Sequence, residues 1–227
     1  MSPACATAIA GTRNGFESDA TGWTSDAMDG VIIPSWPLDP WEYGEPSGSQ
    51  PSCFEGSQCV GTDMDENYAQ CGRADLRSPS IDLTACSTDS LALVIEHSYD
   101  FWSGDYGGST WYDGGLIELS INGGSSWIPI DPVVYSGTIR INPDRGLSYE
   151  CASPTSFYVH GRAGFVGSSG GWERLIIPLP AEVLGESSVM VRFAWASGVS
   201  STTTSASTSR SSTAPGWFID DFRIEPR

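Results

Sequence analysis

Apolar residues in this chain recur at every second position and almost nowhere at helical spacing. Ser90 to Phe101 places Leu91, Leu93, Ile95, His97 and Tyr99 on one face. Gly115 to Asn122 sets Ile117, Leu119 and Ile121 opposite Glu118 and Ser120. Trp172 to Leu179, Ser188 to Ala196 and Trp217 to Ile224 repeat the pattern, each bounded by Gly, Pro, Asn or Ser. Period-two runs with such boundaries are half-buried strands. Asn122-Gly123-Gly124 predicts a hairpin leading from Ile121 into Trp127. One helical turn is expected, at Ala181–Leu184, after Pro178 and Pro180 and before Gly185. The pattern predicts an all-β protein, and 227 residues are within reach of one large sandwich.

Composition narrows the partners. There are 28 acidic and 11 basic residues, a formal charge of −17, and every basic residue is arginine. A nucleic-acid surface needs a basic face to neutralise phosphates, and docking on anionic lipid needs one too. Both partner classes are excluded as expectations, as is membrane insertion, since no apolar run approaches about 18 residues. Hydrophobic content of 39% suffices for a core. The first residues carry neither a charged segment nor a long apolar one, so no secretion signal is expected in this chain. If the natural protein is secreted, its signal is expected to have been removed, with Met1 an expression start and the chain one segment of a longer protein.

Six cysteines, Cys5, Cys53, Cys59, Cys71, Cys86 and Cys151, show no zinc-ligand spacing, and His97 and His160 lie far from them. An even count points to disulfides and an oxidising, secreted or cell-surface location. About fifteen pairings are open. Cys53–Cys59 is favoured because Gly56 and Ser57 let a short loop close, which leaves Cys71–Cys86 and Cys5–Cys151.

Two segments break the alternation. Asp131 to Gly171 is a long excursion with Pro132, Pro143 and Pro154, and Ser197 to Thr213 is Ser/Thr-rich. A linker is one meaning of the second. A loop is preferred, because the apolar Pro215–Ile224 segment must return to a sheet. Residues 1–227 are then one domain whose first and last strands lie together.

An ordered set of short motifs now becomes informative. Asn14-Gly-Phe-Glu-Ser18 and Gly22-Trp23 open the chain, followed by Trp41-Glu-Tyr-Gly-Glu-Pro46 and Gly61-Thr-Asp-Met-Asp-Glu-Asn-Tyr68. Leu76-Arg-Ser-Pro-Ser-Ile-Asp-Leu83, Tyr112-Asp-Gly-Gly115 and Ser120-Ile-Asn-Gly-Gly-Ser-Ser-Trp127 follow, and Gly216-Trp-Phe-Ile-Asp-Asp-Phe222 closes. In this order they resemble the MAM-like jelly-roll domain of bacterial secreted proteins, as it accompanies immune-inhibitor-A-type metallopeptidases. The resemblance spans almost the whole chain. It implies a two-sheet antiparallel jelly-roll sandwich, like that of carbohydrate-binding modules, with a structural calcium where first and last strands meet. The peptidase activity does not carry over, because the chain has no H-E-x-x-H.

The residues suggest a cation independently. Strict alternation through Phe218-Ile-Asp-Asp-Phe222 puts Phe218, Asp220, Phe222 and Ile224 on one face and Ile219 and Asp221 on the other, so one aspartate enters apolar surroundings. A buried carboxylate needs a cation or several donors. Glu17, after Phe16 in the expected first strand, has the same need. Calcium takes about six to eight oxygens, and Glu17, Asp220, Asp221, Asp63 and Asp65 are the candidate ligands. The competing account is neutralisation by Arg13 or Arg223, with Asp63–Glu66 a solvated turn.

Trp102, Tyr106, Trp111, Tyr112 and Asp113 form a second candidate group, interleaved with glycines. Aromatic faces stack on sugar rings and carboxylates bind hydroxyls; the competing use of such rings is packing. Trp36 and Trp41 have the same two uses, with packing favoured. Catalysis would fall to His97 or His160 with carboxylates, but His97 shares a face with Leu93 and Ile95 and is expected in the core. The expected function is a non-catalytic extracellular adhesion, binding or accessory module, whose partner is a surface glycan, a protein or an attached catalytic domain. A small jelly-roll hydrolase or lyase and a purely structural cell-surface domain are the alternatives.

Overall fold

The computed structural model describes residues 1–27, 41–69, 72–87, 90–102, 111–130, 132–140, 158–198 and 214–227. Among the described residues twelve strands fall in this order: β1 (Thr24–Ala27), β2 (Glu42–Gly44), β3 (Cys59–Gly61), β4 (Arg73–Arg77), β5 (Leu91–Asp100), β6 (Gly114–Ser120), β7 (Ile128–Pro129), β8 (Gly137–Thr138), β9 (Ala163–Gly164), β10 (Glu173–Pro178), β11 (Met190–Ala196) and β12 (Gly216–Pro226). They form two five-stranded antiparallel sheets, β1-β4-β11-β6-β7 and β10-β5-β12-β3-β2, and a small β8-β9 ribbon. All five strands expected from alternation are present within a residue or two of their expected ends.

One apolar core joins the two sheets. Leu91, Leu93, Ile95 and Tyr99 of β5 meet Ile117 and Leu119 of β6, and Val191, Phe193 and Trp195 of β11. Trp217 lies fully buried among them, 5.8 Å from Phe193 and 5.7 Å from Trp41. Trp41 therefore packs, and Trp36 lies outside the described residues. Gly115 belongs to this packing: a Cβ there would enter the Trp217 ring.

β12 runs through the centre of the second sheet, between β5 and β3. Asn14 near the amino end pairs with Phe222, their backbone N–H groups each bonding the other's carbonyl at 2.8 and 2.9 Å. The amino-terminal segment thus meets the last strand, but the first and last strands do not pair as expected: β1 lies in the other sheet from β12, and Phe16 and Glu17 are not in a strand. Phe16 has φ 57°, and the first strand begins at Thr24.

Strict alternation fails at Asp220–Asp221. The pairing with β5 shifts there, and Asp221 adopts φ 43°. This bulge turns the phase of the strand. Trp217, Ile219, Phe222 and Ile224 all enter the core, and Phe218 joins a separate cluster with Cys53, Cys59 and Met64. The two aspartates thereby lie off the main apolar core, yet both remain buried and need partners.

The amino-terminal helix α1 (Pro3–Ala10) was not expected. Its signals are present in the chain: Ser2 accepts the Cys5 N–H at 3.0 Å, and a proline occupies the first turn. Cys5 bonds Cys86, which overturns both the Cys5–Cys151 and the Cys71–Cys86 assignments. Spacing cannot show that α1 folds back 81 residues onto the Thr84–Cys86 turn. Cys53–Cys59 is present as expected. Cys71 and Cys151 lie outside the described residues. The helical turn Ala181–Val183 is present.

The described part of the long excursion is ordered against the first sheet. Ile139, Val159 and Val166 pack with Leu116, Ala194 and Ala196 as a second small core. The Tyr135 hydroxyl bonds both the N–H and the carbonyl of Ile117 at 3.0 Å. Most of the Ser/Thr-rich segment, 199–213, lies outside the described residues.

Candidate functional site

The acidic residues fall into separate groups. Asp63 begins the turn after β3, and its Oδ1 accepts the N–H groups of Asp65 and Glu66 at 3.1 and 2.7 Å. Glu42 of β2 accepts the Met64 N–H at 2.9 Å. Register places Glu42 opposite Gly61, which brings its carboxylate to this turn. One oxygen from each of Glu42, Asp63 and Asp65 lies within 4.8 Å of the others. Burial, with Glu42 and Asp65 adding to it, pushes the Asp63 carboxyl up to about 6. Three converging carboxylates repel one another, and a divalent cation relieves that. Glu42 had no signal in the sequence, because its role depends on a strand pairing.

Glu17 and Asp220 form a second group beside the Cys53–Cys59 loop. Gly56 has φ 63° and stands against the Glu17 carboxylate so closely that a Cβ would collide with it. Ser57 and Gln58 donate their N–H groups to that carboxylate at 3.1 to 3.3 Å. Asp220 is fully buried and accepts the N–H groups of Glu55 and Asp221 at 3.1 and 2.7 Å. Burial pushes its carboxyl up to about 6, with Glu17 and Asp221 contributing. No arginine pairs with Asp220 or Glu17 among the described residues.

Asp221 differs. Arg223 Nη1 bonds its Oδ2 at 2.6 Å, and Arg13 Nε stands 3.2 Å from Oδ1, off the hydrogen-bond axis. Arginine therefore neutralises it, as the competing account holds. The structure does not gather the five sequence candidates around one point: Asp63 and Asp65 lie with Glu42, Glu17 lies near Asp220, and Asp221 is ion-paired.

The aromatic candidates divide as well. Trp102 and Tyr112 are half-buried and stacked, with centroids 5.8 Å apart and planes at 26°. Trp111 packs on the second core with Ile139 and Val166. Tyr106 lies outside the described residues. Asp113 is buried rather than presented: its carboxylate accepts the Tyr68 hydroxyl and the Gly198 N–H, the latter at 2.6 Å. The same Tyr68 oxygen accepts the Trp102 N–H at 2.9 Å. Asp113 thus fixes the base of the Trp102–Tyr112 pair. Burial pushes its carboxyl up to about 7.

His97 is enclosed in the core. Its Nδ1 accepts the Trp217 Nε1–H at 3.2 Å, and Phe165 stands 4.8 Å away edge to face. Accepting at Nδ1 places the proton of the neutral ring on Nε2. Glu173 lies 3.2 Å from Nε2 without hydrogen-bond alignment. Burial holds the imidazole down at about 3. His160 is exposed in the turn after Tyr158.

A charged ladder that sequence reasoning missed lies on the first sheet, away from the main core. Register aligns Asp75, Arg192 and Glu118 near one another on β4, β11 and β6. Arg192 bonds Glu118 through Nε at 2.8 Å and again through Nη2, and reaches Asp75 at 3.1 Å. Trp127 and Tyr158 flank its guanidinium at 4.4 and 4.5 Å. Arg162 adds a 2.6 Å bond to Glu118. Every charge here has a partner, so the ladder holds the excursion on the sheet and is not an open site.

Fold and site together describe a disulfide-bonded, two-sheet β-sandwich with acid-lined loops and an aromatic pair at one end. No protein-family model and no curated protein sequence matches the chain. Among solved structures it is similar to the K2 cleaved adhesin domain of Lys-gingipain, at 13% identity and a TM-score of 0.46 over 94% of this chain and 98% of that one. It is also similar to the K1 adhesin domain of Lys-gingipain from Porphyromonas gingivalis W83, at 16% and 0.43 over 95% and 97%. A third likeness is to a structure described for the promiscuous specificity of carbohydrate-binding modules of the β-sandwich superfamily, at 8% and 0.41 over 94% and 61%.

Proposed function

We propose that this chain is a non-catalytic extracellular binding module, an adhesion or accessory domain of the MAM-like jelly-roll type, that contacts a surface glycan or a protein. The observation that carries the reading is the stacked, half-exposed Trp102–Tyr112 pair, held from below by Asp113, Tyr68 and Gly198. A fixed aromatic surface loses little side-chain entropy on binding, and aromatic residues dominate contact energies. The Cys5–Cys86 and Cys53–Cys59 disulfides fit an oxidising compartment.

The hydrolase or lyase alternative loses its first residue, since His97 is spent on Trp217 inside the core. A structural calcium belongs to the proposal. Glu42, Asp63 and Asp65 are its best-converged ligands, with Glu17 and Asp220 a second pair. When bound, calcium would supply only charge neutralisation and cross-linking of loops.

Binding to an immobilised glycan and cell-surface protein panel tests the proposal. The expected result is a retained ligand whose affinity falls at least tenfold in a Trp102→Ala/Tyr112→Ala variant of unchanged melting temperature. Binding that survives that variant unchanged overturns the assigned surface. A panel without any binding leaves the purely structural alternative standing and overturns the proposal.

A further inference from the structure

A cleft of about 480 Å³ opens at the other end of the described chain, between α1 and the turn that follows β4. Its volume falls within the roughly 300–1,000 Å³ of small-ligand sites. Trp23 and Phe222 are the aromatic residues of its lining, beside Ile81 and Pro79. Trp23 is half-buried, packed at 5.0 Å against Phe222 and stacked at 6.2 Å on Phe193, so its ring is fixed in place. The walls are fixed too. The Cys5–Cys86 disulfide ties α1 to the Thr84–Cys86 turn, and the Ser2 hydroxyl donates to the Ala85 carbonyl at 3.3 Å. A preformed cleft does not spend binding energy on ordering itself.

The polar groups at the mouth are half-committed. Arg13 is exposed and lines the cleft, with its Nε 3.2 Å from Asp221 Oδ1 but off the hydrogen-bond axis. Asp82 uses Oδ1 on the Thr84 N–H and hydroxyl, at 2.9 and 2.7 Å, leaving Oδ2. The lining thus includes a guanidinium donor and a carboxylate acceptor beside aromatic rings. That combination suits a ligand with vicinal hydroxyls and an apolar ring face. An anionic ligand is disfavoured by the formal charge of −17 and by the Asp221 partner of Arg13. A cation is disfavoured by Arg13 itself. An extended peptide would need a free strand edge, and among the described residues none of an edge strand lines the cleft.

We propose that this disulfide-framed cleft is a binding subsite for a neutral glycan, with a pyranose ring on Trp23 and its hydroxyls between Arg13 and Asp82. The proposal rests on the binding-module reading above and adds a second contact point remote in sequence from Trp102 and Tyr112.

The test is titration of the ¹⁵N-labelled protein with mannohexaose, cellohexaose, xylohexaose and, as an acidic control, hexagalacturonate. One neutral hexasaccharide is expected to shift the Thr21, Ser80 and Thr84 amides and the Trp23 indole N–H saturably. Asp82→Ala and the wall-blocking Thr84→Arg, both at exposed positions, should each weaken that response at least tenfold. Shifts confined to Trp102 and Tyr112 would overturn the cleft and leave the glycan reading intact. A larger cleft response to hexagalacturonate would overturn the neutral class. No response to any saccharide would overturn both the cleft and the glycan arm of the proposed function.

Discussion

Removing the Cys5–Cys86 bond should destabilise the protein far more than removing Cys53–Cys59. The first closes a loop of 81 residues and the second a loop of six. In the chain-entropy model the cross-link restricts the unfolded state by about 2.1 + 1.5R ln n cal/mol/K. That gives about 4.5 kcal/mol at 25 °C for the long loop and about 2.2 kcal/mol for the short one. The native contacts point the same way. Cys5 and Cys86 are fully buried with Ile9 and Leu83, and α1 packs on β12 through this junction. The perturbation is paired alanine replacement, Cys5→Ala/Cys86→Ala against Cys53→Ala/Cys59→Ala, which leaves no odd thiol from either pair. The assay is guanidinium unfolding followed by tryptophan fluorescence, with midpoint and slope fitted separately. A long-loop variant at least about 2 kcal/mol less stable than the short-loop variant is expected. Equal losses, or a larger loss for the short loop, would refute loop-closure entropy as the origin of the difference.

Three further outcomes are expected. Calcium should raise the melting temperature, and more at pH 7.5 than at pH 5. Asp63 and Asp220 are both pushed up to about 6, so protons compete with the ion at the lower pH. Asp63→Asn should remove most of that rise; a rise lost only in Asp220→Asn moves the ion to the Glu17 group. Arg192→Ala should cost on the order of 3–5 kcal/mol in urea unfolding, because it leaves Asp75 and Glu118 buried with fewer cations. A loss under about 1 kcal/mol would show that the ladder is solvated. Stability should also change with pH in two opposed ways. Asp113, raised to about 7, contributes most at low pH, and that contribution is lost as pH rises from about 4 through 7. His97, held near 3, contributes fully above about 6.5, and its contribution is lost as pH falls toward 3. Asp113→Asn should flatten the loss between pH 5 and pH 8 in thermal unfolding scans, and an unchanged slope would count against a titrating Asp113.

Alternation alone located β5, β6, β10, β11 and β12, because a strand with one face on the core must repeat every two residues whatever its partner. The same rule placed His97 inside with Leu93 and Ile95. It also gave the wrong faces after Asp220, because a bulge costs one residue of phase and leaves no mark in the apolar pattern. The short loop of Cys53–Cys59 was legible because six residues with a glycine close locally. Cys5–Cys86 was not, since its geometry depends on where α1 lands after 81 residues of intervening chain.

The acid groups show the division most clearly. Sequence determined that Glu17 and one of Asp220 and Asp221 would need a cation or donors, because a carboxylate beside apolar strands does, and left Asp63 and Asp65 open between ligands and a solvated turn. Tertiary structure decided how: the Ser57 and Gln58 N–H groups for Glu17, the Glu55 and Asp221 N–H groups for Asp220, and arginines for Asp221, while bringing Glu42 to Asp63 and Asp65 added a third negative charge. Need is a property of a residue and its neighbours in the chain. Its satisfaction depends on strand register and loop closure, which bring in groups that lie dozens or hundreds of residues away.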